Sequence, residues 1–162
     1  MEKYRLKIKD LQEVKTEIEK LKVKGQKIVF TNGCFDILHP GHTRYLSSAK
    51  ALGDYLVVAV NSDRSVRAIK GEGRPVIPEA ERAELVAALS FVDGVVIFDD
   101  DNPLKVIQSL MPNVLVKGGD WKEEDIIGAD VVKKTGGVVK RISFVSGFSS
   151  SSIIGKIRGK SI

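Results

Sequence analysis

The chain predicts an α/β fold. It reads as a single domain with a mostly parallel five-stranded sheet and helices on both faces. Three observations predict this. Short apolar runs rich in β-branched residues alternate with stretches whose apolar residues recur at helical spacing, from residue 26 almost to the end. The runs are apolar at consecutive positions, as buried strands of a parallel sheet are. Glycine-containing or polar turns follow the strands, so the loops after strands one, two, four and five fall on one rim of a doubly wound sheet.

The 162 residues suffice for one core. A net charge of +5 and a pI near 9.3 favour acidic ligands. The charge is spread out, with no basic tail and no clustered basic-aromatic surface, so nucleic acid is not expected as a partner. A single cysteine, Cys34, excludes an internal disulfide framework and suits a reducing compartment. No apolar run approaches the roughly 20 residues of a membrane span, and the charged N-terminus lacks a signal-peptide core. A soluble cytoplasmic protein is expected, with no membrane partner. No internal repeat or linker appears; residues 1–25 are assigned to an N-terminal amphipathic helix and 26–162 to the domain.

Taken in order, residues 7–24 are rich in Lys and Glu, with Ile8, Leu11, Val14, Ile18 and Leu21 in register. This predicts a helix ending before Gly25, packed on the domain or on a second subunit. Lys27–Phe30 is the first strand. Tyr45, Leu46, Ala49 and Leu52 place a helix after it, stopped at Gly53. Tyr55–Val60 is the second strand, ending at the polar edge Asn61-Ser62-Asp63. The stretch Arg64–Pro75, with four cations and two glycines, reads as a mobile basic loop positioned for phosphate contact. Pro78–Leu89 is a helix and Val95–Phe98 the third strand. Asp99-Asp100-Asp101 reads as a solvated strand–helix turn, not a metal site, because Asn102 and Pro103 supply a cap and first turn. A short helix covers Leu104–Leu110, and Val114–Val116 is the fourth strand, running into the glycine turn Lys117-Gly118-Gly119-Asp120-Trp121. Glu123–Lys134 reads as one helix and Val138–Ile142 as the fifth strand. Ser149–Ile157 opens with serines and continues with Ile153, Ile154 and Ile157, as a helix whose start offers hydroxyls and free N–H groups together.

The stretch that carries chemistry is Thr31–His42, TNGCFDILHPGH. It holds the only two histidines, His39 and His42, separated by Pro40 and Gly41. Following a strand and opening a helix, it aims backbone N–H groups and a positive dipole end above the sheet. Two imidazoles there suit an anion, most naturally a polyphosphate. Gly33–His42 fits the pattern G-x-F-D-x-x-H-x-G-H, and on it the chain resembles the cytidylyltransferase-like nucleotidyltransferases. Further segments, among them Val58–Asp63, Lys70-Gly71, Arg74–Val76, Leu115–Asp120 and Gly147–Ser151, are similar to the heptose 1-phosphate adenylyltransferases that make ADP-heptose for lipopolysaccharide cores. Many of those enzymes carry the transferase behind a sugar kinase; a stand-alone transferase is expected here. A histidine signature of this kind also resembles class I aminoacyl-tRNA synthetases, but no K-M-S-K-S-like lysine loop is present.

The resemblance implies a Rossmann-like HxGH nucleotidyltransferase fold and an adenylyl transfer from ATP to a sugar 1-phosphate. His39, His42 and Lys117 are the implied catalytic residues. Thr31, Asn32, Gly33, Phe35, Gly41, Gly119, Ser149, Ser150 and Ser151 are implied to bind nucleotide. Asp36, Asn61, Asp63, Arg67, Lys70 and Arg74 are implied to bind the acceptor, with Asp36 either contacting it or bracing the loop. Mg²⁺ is expected on the nucleotide phosphates, with no protein metal site, and a homodimer is expected. The late signature departs from the family: Phe144 stands where an Arg aligns, leaving Arg141, Lys117 or Lys70 to meet the terminal phosphates. Two alternatives stand beside this reading. One is cytidylyl transfer from CTP to a small phosphorylated alcohol such as glycerol 3-phosphate. The other is a non-catalytic nucleotide-binding module.

Overall fold

A computed structural model describes residues 2–119, 121–143 and 147–159. Among these residues, strands β1 (Ile28–Gly33), β2 (Tyr55–Asn61), β3 (Gly94–Phe98), β4 (Val114–Gly118) and β5 (Val138–Ile142) form one sheet in the order β3-β2-β1-β4-β5. Every pairing is parallel. The helices are α1 (Leu11–Val23), α2 (Pro40–Lys50), α3 (Asp63–Lys70), α4 (Glu79–Ala88), α5 (Leu104–Leu110), α6 (Ala129–Lys134) and α7 (Ser150–Ile157).

Side chains alternate across the pleat, so each central strand feeds two cores. Ile28 and Phe30 of β1 join Val57 and Ala59 of β2 under α1, α5 and α6, against Val14, Ile18, Ile107 and Val132. Val29 joins Leu56, Val58 and Val60 on the other face, under α2 and α4, against Leu46, Ala49, Ala83 and Val86. Burial on both faces is why these strands read as unbroken apolar runs. The apolar stripe of α1 lies in the chain's own core through Val14 and Ile18. Strand order reverses between β1 and β4. β1 pairs with β2 over six residues but with β4 over two, Val29 and Phe30. The two strands therefore part above Phe30, and a crevice opens at their carboxyl ends, where open α/β sheets bind ligands.

Three elements differ from the sequence expectation. The first helix begins at Leu11, where Asp10 and Glu13 close a capping box. Ile8 instead bridges Val95, and the Lys9 N–H donates to the Val95 carbonyl at 3.0 Å, covering the outer edge of β3. The basic stretch after β2 is half helix: Ser62 caps α3 by accepting from the Ser65 N–H, and Val66 anchors it. Finally, Glu123–Lys134 is broken into a 3-10 turn (Glu123–Asp125) and α6, with Gly128 between them at φ 86°. A Cβ on Gly128 would lie 2.7 Å from Ile107 Cδ1, so close packing on α5 demands glycine. The acidic triplet is the expected strand–helix turn; Asp99 pairs with Arg64 and Asp100 with Lys105. No helix among the described residues is long and apolar enough to cross a membrane.

Candidate active site

The loop from β1 to α2 carries the site. Phe35 (φ 49°) and Ile37 (φ 53°) both adopt left-handed backbone, which costs free energy for residues with a Cβ. Between them Asp36 is 1% exposed. It accepts from Arg74 Nε at 2.8 Å and from the N–H groups of Val76 and Ile77 at 2.9 and 3.0 Å. Burial alone would push this carboxyl up; the two backbone N–H groups and the guanidinium outweigh it and hold Asp36 below the usual carboxylate range. Of the two roles open for Asp36, the structure gives bracing: the carboxylate ties the strained loop to residues 74–77.

The bracing sets the imidazoles. His39 is the N-cap of α2, Pro40 its first residue, and His42 lies in its first turn. The two rings stack at 3.8 Å between centroids, 21° apart, and Phe35 meets His42 edge-on at 5.5 Å. A Cβ on Gly41 would lie 2.9 Å from the His39 ring, so glycine is required there. Nδ1 of each imidazole is buried with no hydrogen-bond partner among the described residues. Burial, aided by the neighbouring His39, pushes His42 down to about 4; burial also lowers His39. His42 is therefore neutral at pH 7, and both rings lie beside the positive dipole end of α2.

Cations converge on the end of β1. Burial pushes the Lys117 ammonium on β4 down, with the Cys34 thiol opposing. Burial raises Cys34, while Lys70, Arg82 and Arg74 pull it back. Lys70, Arg74, Arg82 and Lys117 thus all lie near Cys34, just after β1, with Arg74 and Arg82 paired to Asp36 and Asp63. Gly119 (φ 89°) turns the chain after β4, its N–H donating to the Ile142 carbonyl at 3.0 Å. Ser149 caps α7, accepting from the Ser152 N–H at 3.0 Å, and the Ser150 hydroxyl donates to the Asp36 carbonyl. The starts of α2 and α7 therefore share one loop. Ser151 is exposed at the α7 start, and Asn32 and Gly33 end β1 beside Ala59 and Val60.

Other expected contacts lie elsewhere. Thr31 is fully buried and shares a 2.7 Å hydrogen bond with the Tyr45 hydroxyl, so its side chain belongs to the core and not to a nucleotide. Asn61 donates to Ser65 Oγ at 2.9 Å, and Asp63 accepts from Arg82 Nη2 at 2.8 Å; both hold α3 instead of facing an acceptor. Arg74 is engaged with Asp36, while Arg67 and Lys70 are exposed on α3. Arg141 donates to the Trp121 carbonyl at 3.0 Å. Phe144 and Asp120 lie outside the described residues.

Sequence reasoning missed Arg82. It is fully buried and donates to the carbonyls of Ile77 (2.8 Å) and Cys34 (2.6 Å) and to Asp63. One side chain thus ties β1, α3 and the 74–77 segment together. The signal was present: Arg82 precedes the apolar Val86 and Leu89 by four and seven, so a cation occupies the inward stripe of its helix.

A doubly wound sheet with paired imidazoles at a helix start, beside the switch point, defines the HxGH nucleotidyltransferase fold class. The family model described as cytidylyltransferase-like matches residues 30–155. The "Bifunctional protein HldE" of Geobacter metallireducens is 56% identical over 151 residues, 93% of this chain and 31% of that protein. Its namesake from Campylobacter jejuni subsp. doylei is 56% identical over 140 residues, 86% of this chain and 30% of that protein. The chain spans under a third of the length of these curated relatives. Among solved structures, the lipopolysaccharide core biosynthesis protein from Thermoplasma volcanium is 31% identical with a TM-score of 0.61, over 75% of this chain and 98% of that one. A pantoate-beta-alanine ligase from Francisella tularensis, 16% identical with a TM-score of 0.60 over 93% of this chain and 76% of that one, shares the fold. The chain belongs to the cytidylyltransferase-like family.

Proposed function

We propose that the chain transfers AMP from ATP to a heptose 1-phosphate, giving ADP-heptose and pyrophosphate. The observation that carries this reading is the pair of stacked imidazoles at the α2 start, close to the strand end where Lys70, Arg74, Arg82 and Lys117 lie near Cys34. The likeness to HldE proteins and to a lipopolysaccharide core biosynthesis protein supports the choice of acceptor.

In the proposed reaction, a phosphate oxygen of the acceptor attacks the α-phosphorus in line. The bond from that phosphorus to the bridging oxygen breaks, and its electron pair leaves with pyrophosphate. No protein nucleophile takes part, so Cys34 is packing, and catalysis is positioning plus charge neutralisation. His39 and His42 would donate to the α- and β-phosphates, through bonds that strengthen as charge gathers there. The α7 start with Ser151, together with Lys117, would hold the β- and γ-phosphates. Lys70 and Arg67 would meet the incoming sugar phosphate. Gly33, Phe35 and Gly119 would let the nucleotide lie against backbone. Mg²⁺ would arrive with the triphosphate and neutralise part of its charge; among the described residues no group of three or more His, Cys, Asp or Glu is placed to hold a metal ion. We assign the homodimer and a cytoplasmic location to the same reading.

Pyrophosphate release across ATP, CTP and a panel of phosphorylated acceptors tests the assignment. Turnover requiring ATP and a heptose 1-phosphate is expected. Turnover with CTP and glycerol 3-phosphate alone would replace it with the cytidylyl reading, and binding without turnover would leave only a nucleotide-binding module.

A further inference from the structure

A reactive imidazole is ordinarily oriented by a carboxylate or carbonyl on its second ring nitrogen. Among the described residues His39 has no such partner, and its Nδ1 is buried. Aromatic rings surround it instead. Phe148 lies nearly parallel to His39, 6.3 Å between centroids and 17° apart, and His42 stacks on it at 3.8 Å. The Arg44 guanidinium of α2 sits over the Phe148 ring, 5.6 Å from its centroid. Gly41 lets these groups close up: a Cβ there would lie 2.9 Å from the His39 ring and 3.1 Å from Phe148 Cβ. The segment carrying Phe148 is fastened independently, since Ser150, two residues on, donates to the Asp36 carbonyl. α7 buries none of its own residues, so this double attachment to the site is what fixes its start.

We propose that Phe148 is a positioning residue. Its ring sets the plane of His39, in place of a hydrogen-bonded orienting group, and Arg44 holds Phe148 from outside. A residue that merely filled space there need not be flat. The consequence for turnover rests on the nucleotidyl-transfer reading; the ring geometry does not.

The test compares Phe148→Leu, of similar volume but not planar, with Phe148→Tyr in the full chain. Two readouts are taken: the plane of the His39 ring in crystals of the nucleotide-free protein, and kcat against KM for ATP. Phe148→Leu is expected to turn the His39 ring out of the plane it holds in the wild type. It should lower kcat by about tenfold with KM for ATP changed less than about twofold, as small misplacements of reacting groups do. Phe148→Tyr is expected to restore both. An unturned His39 ring, or wild-type kcat in Phe148→Leu, overturns the proposal. If the wild-type protein turns over no nucleotide at all, the functional reading fails by itself. The ring plane then decides: rotation in Leu and not in Tyr upholds the positioning role, and no rotation overturns it.

Discussion

Two stacked imidazoles can both be charged only at a high cost, since like charges repel and the rings are buried. The free protein meets this by lowering both, His42 to about 4. The sign for stability follows. Unfolded histidine takes up a proton near 6.5, whereas folded His42 does so only near 4. Between those values the unfolded state holds more protons, so His42 costs stability as the pH falls from 6.5 towards 4. The expected outcome is a urea midpoint that drops from pH 7 to pH 5 in the wild type and drops less in His42→Ala. Asp36, held low, loses its contribution only at more acid pH and does not confuse this window. A phosphate chain should reverse the shift. With two histidines in the chain, an NMR titration reads both directly, and saturating ATP should move both midpoints upward. His42→Ala should lower kcat by about 10²–10³, as loss of one donor to a developing oxyanion does. The histidine pair was legible because neighbouring residues, Pro40 and Gly41 above all, dictate its setting. The parts of Asp36, Asn61 and Asp63 were not. Two of the three are decided by partners far along the chain, Arg74 for Asp36 and Arg82 for Asp63, and residue type alone does not separate a bracing carboxylate from a binding one.

At the scale of elements, the strands were legible because burial on both faces leaves a continuous apolar run. Helix ends were less so. Ile8 has the spacing of an inward helical residue yet bridges β3, since periodicity does not say where a capping box will cut the helix. α3 was hidden because its outward positions, Arg64, Arg67 and Lys70, dominate a helix of eight residues with one deeply buried aliphatic, Val66. α4 carries the element-scale prediction. Arg82 joins it to β1, α3 and the 74–77 segment through three bonds. Arg82→Met should leave two carbonyls and the Asp63 carboxylate without their donor and cost about 3 kcal/mol of unfolding free energy, read by urea denaturation. Arg82→Lys should rescue little, because one ammonium cannot reproduce the planar fork. A loss below about 0.5 kcal/mol in Arg82→Met, the range of an ordinary surface change, would mean that Arg82 does not hold these elements together.

For the molecule as a whole, the loops proposed to bind ligand come from separate parts of the chain and meet at the β1/β4 switch point. Lys70 and Lys117 gather there near Cys34, beside Arg74 and Arg82 in their pairs with Asp36 and Asp63. A strand end with cations nearby draws a polyanion, which would bridge the starts of α2 and α7. ATP should therefore stabilise the whole fold. At a hundred times its dissociation constant it adds about 2.7 kcal/mol. For a chain of this size each kcal/mol raises the melting temperature by about 2–4 °C, so a rise of about 5–11 °C is expected by differential scanning calorimetry. The double variant His39→Ala/His42→Ala keeps the cations but loses the paired donors, and at the same ATP concentration it should show less than half that rise. An undiminished rise in the double variant would place the phosphate chain away from the imidazoles, and with it the chemistry assigned to them.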